Sequence, residues 1–185
     1  MTLASYISCL RIVLIVPIIY LLDLGFWAET PSYYNYFAFV LFIVAGLTDY
    51  LDGYIARKTD TETQLGALLD LIADKLLVSL VMVWMVFLTH NPFIVIPALI
   101  IVSRELVISM LRQYVIEKKV KEDLKVSFIG KSKTTIQLIA IGMLILAQEV
   151  SQIRLLAMIA IWFSAIFSLY SLFTYISEWF KHYLN

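Results

Sequence analysis

Residues 49–74 read DYLDGYIARKTDTETQLGALLDLIAD, with a long apolar run on either side. Asp49 and Asp52 are three apart, and Asp70 and Asp74 are four apart. On helices each pair therefore shares a face. The flanking apolar runs place all four carboxylates at or inside a membrane boundary, where an ionisable group costs roughly 2.5–3.5 kcal/mol. Four such groups close together also repel one another. Hard divalent cations bound by oxygen ligands answer both problems. The alternative is ordinary charges at water-facing helix ends, but the small and basic residues between the pairs fit a site better.

Of the 185 residues, 62% are hydrophobic and 15% charged, which points to a polytopic membrane protein. A net charge of zero gives no signature for nucleic acid. The single cysteine, Cys9, excludes an intramolecular disulfide and offers no metal-site spacing. The N-terminus lacks a basic region and a clear cleavage site, so it reads as a retained first segment. The pattern predicts an all-α, six-helix transmembrane protein, with residues 1–185 as one domain. The expected spans are 12–22 (extended by 4–10), 35–56, 64–88, 93–116, 133–147 and 153–176, and 23–34 is expected as a loop. Trp27, Tyr33, Tyr34 and Tyr36 have the character of interfacial aromatics.

Lysine and arginine set the orientation. Arg57 and Lys58 lie in one connection, Lys118, Lys119, Lys121, Lys125 and Lys131 in another, and Lys181 in the C-terminal tail. The connections 23–34 and 89–92 have none. The positive-inside rule then puts both termini and the four aspartates on the cytoplasmic side of an inner (cytoplasmic) membrane.

Gly53 and Ala56 fall between Asp52 and Arg57 and let a backbone or a flat ligand approach closely. Simple helix packing is the other reading of Gly53. Arg57 suits a bidentate phosphate contact, or serves as a topogenic charge. Thr61 and Thr63 stand where the third helix begins, a favourable place for phosphate. Gly66 leaves room beside Asp70. Four oxygen ligands, small residues, an arginine and a helix start suit two metal ions clamping a diphosphate.

These residues match a known signature, D-x-x-D-G-x-x-A-R, eight residues, G-x-x-x-D-x-x-x-D, at Asp49, Asp52, Gly53, Ala56, Arg57, Gly66, Asp70 and Asp74. In this the chain resembles the CDP-alcohol phosphotransferase family. The resemblance implies a six-helix membrane fold, a homodimer, two Mg2+ or Mn2+ ions, a CDP-linked lipid donor and release of CMP. It implies metal on Asp49, Asp52, Asp70 and Asp74, with Asp74 also the general base. It implies contacts to CDP-diacylglycerol from Asp49, Asp52, Gly53, Ala56, Arg57, Thr63 and Gly66. Members of this branch commonly begin with Asn-x-x-Thr-x-x-Arg, where this chain has Ser5, Ser8 and Arg11.

The fourth span carries Ser103, Arg104, Glu105, Ser109 and Arg112 inside an apolar run, and Lys131 and Lys133 stand at the mouth of the fifth. Arg104, Arg112, Lys131 and Lys133 form a candidate acceptor pocket for an anion. A structural Arg104–Glu105 or inter-helix ion pair is the alternative for Arg104, and surface anchoring to acidic lipid for the lysines. The strings RELVISMLR and IGKSKT resemble the bacterial phosphatidylglycerophosphate synthase branch, whose acceptor is sn-glycerol 3-phosphate. Other acceptors of the family remain open: inositol phosphate, serine, choline or phosphatidylglycerol. A divalent-cation transporter is the rival from another class. It would line a path across the bilayer with its ligands, whereas these four sit at one level.

Overall fold

The computed structural model describes residues 3–28, 33–59, 64–117 and 128–183. The side chains at 3–5, 49–59, 64–65, 67, 112, 115–117, 128–132, 178 and 181–183 lie outside that description. Six α-helices follow in order: α1 Leu3–Trp27, α2 Tyr34–Thr59, α3 Gln64–Thr89, α4 Pro92–Glu117, α5 Phe128–Leu146 and α6 Arg154–Tyr183. A single 3-10 turn, Ser151–Ile153, leads into α6. Helices are what apolar chain forms in lipid, because each backbone N–H and C=O must find its partner within the segment. Tyr6–Trp27, Leu68–Thr89, Pro92–Leu111 and Ser151–Ser177 are long and apolar enough to cross a membrane. The apolar parts of α2 and α5, Tyr34–Thr48 and Lys133–Leu146, are shorter.

Helix positions agree with the sequence-based expectation, and the ends differ. α1 runs on through Asp23 and Gly25, residues expected in a loop. α2 continues through Arg57 to Thr59. α5 begins at Phe128 rather than 133, and α6 reaches Tyr183. The expected aromatics do stand outward: Trp27 is 70% and Tyr33 77% exposed.

The α3–α4 turn is built from three consecutive residues. His90 takes a left-handed conformation (φ 46°), and its N–H donates to the Val86 carbonyl. Asn91 accepts the Phe93 N–H on its side-chain oxygen, capping α4, and Pro92 occupies the first helical position.

Among the described residues the helices pack as a closed ring in the order α1, α2, α5, α6, α4, α3. α1 lies against both α2 and α3, which touch each other far less. The α2–α5 seam is close because Gly46 faces Leu138 and Gly142 faces Phe39. A Cβ on either glycine would come within 3.1 Å and 3.0 Å of those side chains respectively.

Each helix has an inward stripe at spacings of three and four. On α1 it is Ser8, Arg11, Ile15, Ile18 and Leu22, and on α3 Ala73, Leu77 and Val81, all buried. α4 contributes Ile94, Ala98, Ile101, Arg104, Glu105 and Ile108, and α5 Lys133, Gln137, Ala140, Ile141 and Leu144. α6 contributes Ala157, Ile161, Ser164, Ala165, Ser168 and Ser171. The opposite faces, such as Val13 and Val16 of α1 and Phe163, Ile166 and Phe173 of α6, are exposed and apolar, as lipid-facing surfaces are.

Candidate active site

Every inward stripe turns from apolar to polar at the same end of the ring. On α2, positions 49, 52 and 56 continue the stripe of Ala38, Phe42 and Ala45. On α3, Asp70 and Asp74 continue the stripe of Ala73 and Leu77. Because successive helices alternate in direction, the C-terminal end of α2 and the N-terminal end of α3 lie together. So do the C-terminal half of α4 and the N-terminal end of α5. The backbone thus brings the Asp49–Ala56 segment, Asp70, Asp74, Arg104 and Lys133 to one end.

The side chains of Asp49, Asp52, Gly53, Ala56, Arg57, Arg112 and Lys131 lie outside the described residues, and Thr63 lies outside them altogether. Gly66 is one turn before Asp70 on the same face of α3. Among the described side chains, metal-ligating types do not gather in threes. Asp70 and Asp74 are still the right donors for a hard divalent ion. Both are carboxylates one turn apart, and Asp70 is 43% exposed at the open end of the bundle.

Arg11 supplies a contact that sequence reasoning missed. Its side chain is 0% exposed, and its Nη1 donates to Asp70 Oδ1 at 3.2 Å. The first span thus reaches the second aspartate pair directly. One oxygen of Asp70 takes the guanidinium. The signal lay in Arg11 itself, a charge inside an apolar run, but its partner is 59 residues away.

A second cluster centres on Glu105, whose side chain is 7% exposed. Its Oε2 accepts from Lys75 Nζ. Its Oε1 accepts from Lys133 Nζ and, at 3.2 Å, from Arg104 Nη1. Arg104 Nη2 also donates to Ser171 Oγ at 2.8 Å. Adjacent residues on a helix do not normally share a face. Arg104 and Glu105 both point inward because α4 is flanked by α6 on one side and α3 on the other. The structure therefore brings Arg104 and Lys133 together and adds Glu105 and Lys75, which were not among the expected site residues. Lys75 follows Asp74 directly on α3, which joins this cluster to the aspartates.

Buried charges in such numbers are costly unless paired. Here α1, α3, α4 and α5 each contribute charged groups to one end of a membrane bundle, an arrangement suited to anionic, metal-dependent chemistry. The chain belongs to the CDP-alcohol phosphatidyltransferase family, whose profile matches residues 1–170. Several bacterial relatives are named CDP-diacylglycerol–glycerol-3-phosphate 3-phosphatidyltransferase. That of Haemophilus influenzae is 39% identical over 137 residues, 74% of this chain and 74% of its own. That of Wigglesworthia glossinidia brevipalpis is 37% identical over 141 residues, 76% of this chain and 77% of its own. That of Salmonella choleraesuis is 31% identical over 174 residues, 94% and 92% of the two chains.

Proposed function

We propose that this protein transfers the phosphatidyl group of CDP-diacylglycerol to sn-glycerol 3-phosphate, giving phosphatidylglycerophosphate and CMP. The named relatives support the substrates. The observation that carries the acceptor is the cluster of Lys75, Arg104 and Lys133 on Glu105, whose Lys75 follows the candidate base Asp74 directly on α3. Arg104, Arg112, Lys131 and Lys133 hold the phosphate of the acceptor. Asp74 takes the proton from its 1-hydroxyl. The freed oxygen attacks the β-phosphorus of CDP-diacylglycerol, the bond from that phosphorus to the bridging oxygen breaks, and the bridging oxygen leaves with CMP. Gly53, Ala56, Arg57, Thr63 and Gly66 line the donor's nucleotide and diphosphate. Arg11 fixes the rotamer of Asp70.

Asp49, Asp52, Asp70 and Asp74 would hold two Mg2+ or Mn2+ ions, which neutralise diphosphate charge when bound. The diacylglycerol chains stay in lipid, which accounts for a site at a bundle end. All six helices span the inner membrane, the site opens to the cytoplasm, and the protein works as a homodimer.

The test is an acceptor screen with CDP-diacylglycerol and purified protein, scored by CMP release and lipid product. Glycerol 3-phosphate should give phosphatidylglycerophosphate. Product only with inositol phosphate, serine, choline or phosphatidylglycerol would move the chain to another branch of its family.

A further inference from the structure

Two polar side chains deep in the bundle take no part in the reaction above. Gln137 of α5 is 2% and Ser168 of α6 is 0% exposed. Gln137 Nε2 and Ser168 Oγ have no hydrogen-bond partner among the described residues. The charged layer fixes their depth. Glu105 accepts from Lys133, and Arg104 donates to Ser171, so α4, α5 and α6 meet at one level through these four residues. From there each helix runs one turn towards the opposite end: α4 back to Ile101, α5 on to Gln137 and α6 back to Ser168. Three or four residues of helix span about 4.5–6 Å. Ile101, Gln137 and Ser168 therefore form the layer beneath the charged one. All three lie on the inward stripes, at exposures of 2% or less, where lipid does not reach them.

We propose that this layer is a binding site for an internal water molecule, held between α5 and α6 beneath the Glu105 cluster. Gln137 Nε2 donates to the water oxygen, and the water donates to Ser168 Oγ. Ile101 closes the α4 side. The chemistry of the layer selects water: an amide donor and a hydroxyl are both uncharged, so neither calls for an ion. The inward residues of α6 here are small, Ser164, Ala165 and Ser168, which leaves room between the helices for one small molecule. A buried amide N–H without a partner is costly, and a water with two to four polar partners is the usual way such groups are satisfied inside a protein. The water links α5 to α6 at membrane depth, where the hydrophobic effect does not drive helices together. It also gives the buried ions above it a polarisable neighbour in an otherwise apolar core.

The test uses the purified full chain in detergent micelles. X-ray hydroxyl-radical footprinting oxidises side chains beside bound water, buried ones included. In the parent protein Ile101 should be oxidised well above Ile161, which is equally buried but two turns beyond Ser168 on α6. In the double variant Gln137→Leu with Ser168→Ala, the yield at Ile101 should fall to that at Ile161. Thermal unfolding gives a second readout. Gln137→Leu and Ser168→Ala should each lower the midpoint by about 2–6 °C. The double variant should lose less than the sum, because both side chains hold the same water. Turnover per folded molecule should not change. Ser168→Ala is the smaller change and decides the matter if Gln137→Leu does not fold. A midpoint raised or unmoved in Ser168→Ala, or losses that simply add, overturns the proposal. Coupled losses with Ile101 oxidised no more than Ile161 overturn it as well, since the two side chains then bond each other directly. A raised acceptor KM at parental stability would make Gln137 a substrate contact and would also overturn it. The acceptor screen is independent of all these outcomes, so the proposed reaction stands or falls separately.

Discussion

The two ends of the helix ring both gather polar side chains from several helices, but their chemistry differs. At the end opposite the site, Asn35 of α2 is 1% exposed and donates from Nδ2 to Glu149 Oε1, in the α5–α6 connection, at 2.8 Å. Gly25 of α1 leaves room for that amide, since a Cβ there would stand 2.5 Å from the Asn35 side chain. A neutral amide, a carboxylate and a glycine close together with little space to spare. At the site end, Asp70 is half exposed beside Arg11, and three cations meet one carboxylate. One end is a lock in which three parts of the chain meet in close contact. The other gathers cations from three helices on one carboxylate, with the partly exposed Asp70 and Asp74 at the same end. Polar residues inside a membrane bundle are thus of two kinds, and the number of charged groups together with access tells them apart.

The comparison can be broken by substitution. The largest effect belongs to Asp74→Asn, which should lower turnover about 10²–10⁴-fold. Binding of CDP-diacylglycerol should stay within about tenfold. CMP release and a donor-binding isotherm measure the two, and retained turnover with an ordinary pH profile would remove Asp74 from the role of base. Next comes Arg11→Gln, which should raise the Mg2+ concentration needed for half-maximal activity about 10–100-fold. Mn2+ binding followed directly by electron paramagnetic resonance should weaken in parallel. Unchanged Mn2+ binding would confine Arg11 to packing.

At the far end the effect moves from rate to stability. Gly25→Ala overpacks against Asn35 and should cost about 1–3 kcal/mol of stability. Asn35→Ala removes a donor from the Glu149 carboxylate and should cost about as much. Both should show in thermal unfolding in detergent, with turnover per folded molecule unchanged. A fall in turnover without a fall in stability would mean that the two ends are coupled. Smallest of all, Val16→Ala on the exposed face of α1 should change stability by no more than about 0.5 kcal/mol.

Much of this arrangement is legible in the amino-acid sequence. The aspartates recur at three and four residues, so any helical reading puts each pair on one face. The helix ends are less legible, because Asp23 and Gly25 carry turn character that a continuous backbone at a membrane boundary overrides. The Arg104–Glu105 pair can be foreseen as one of two options, since the residues are neighbours. The Lys75–Glu105, Arg11–Asp70 and Asn35–Glu149 contacts cannot. They join residues 30, 59 and 114 apart, and only the packing order of the ring makes them adjacent. Lys75 is hidden for a further reason: beside two conspicuous aspartates, a lysine at the start of a span reads as one more boundary charge.

The position of α1 has a consequence for how such a chain is made. It leaves the ribosome before α2 and α3, yet it becomes the spacer between them, the helices that carry the aspartates. The later helices are added against a piece already in the membrane, and Asp70 meets Arg11 only where that piece holds its depth. An N-terminal fusion that shifts α1 along its axis by one turn, about 5.4 Å, would carry Arg11 past Asp70. Asp70 would keep its place on α3 and lose that contact. Tagging this protein at its C-terminus is therefore the safer choice for purification.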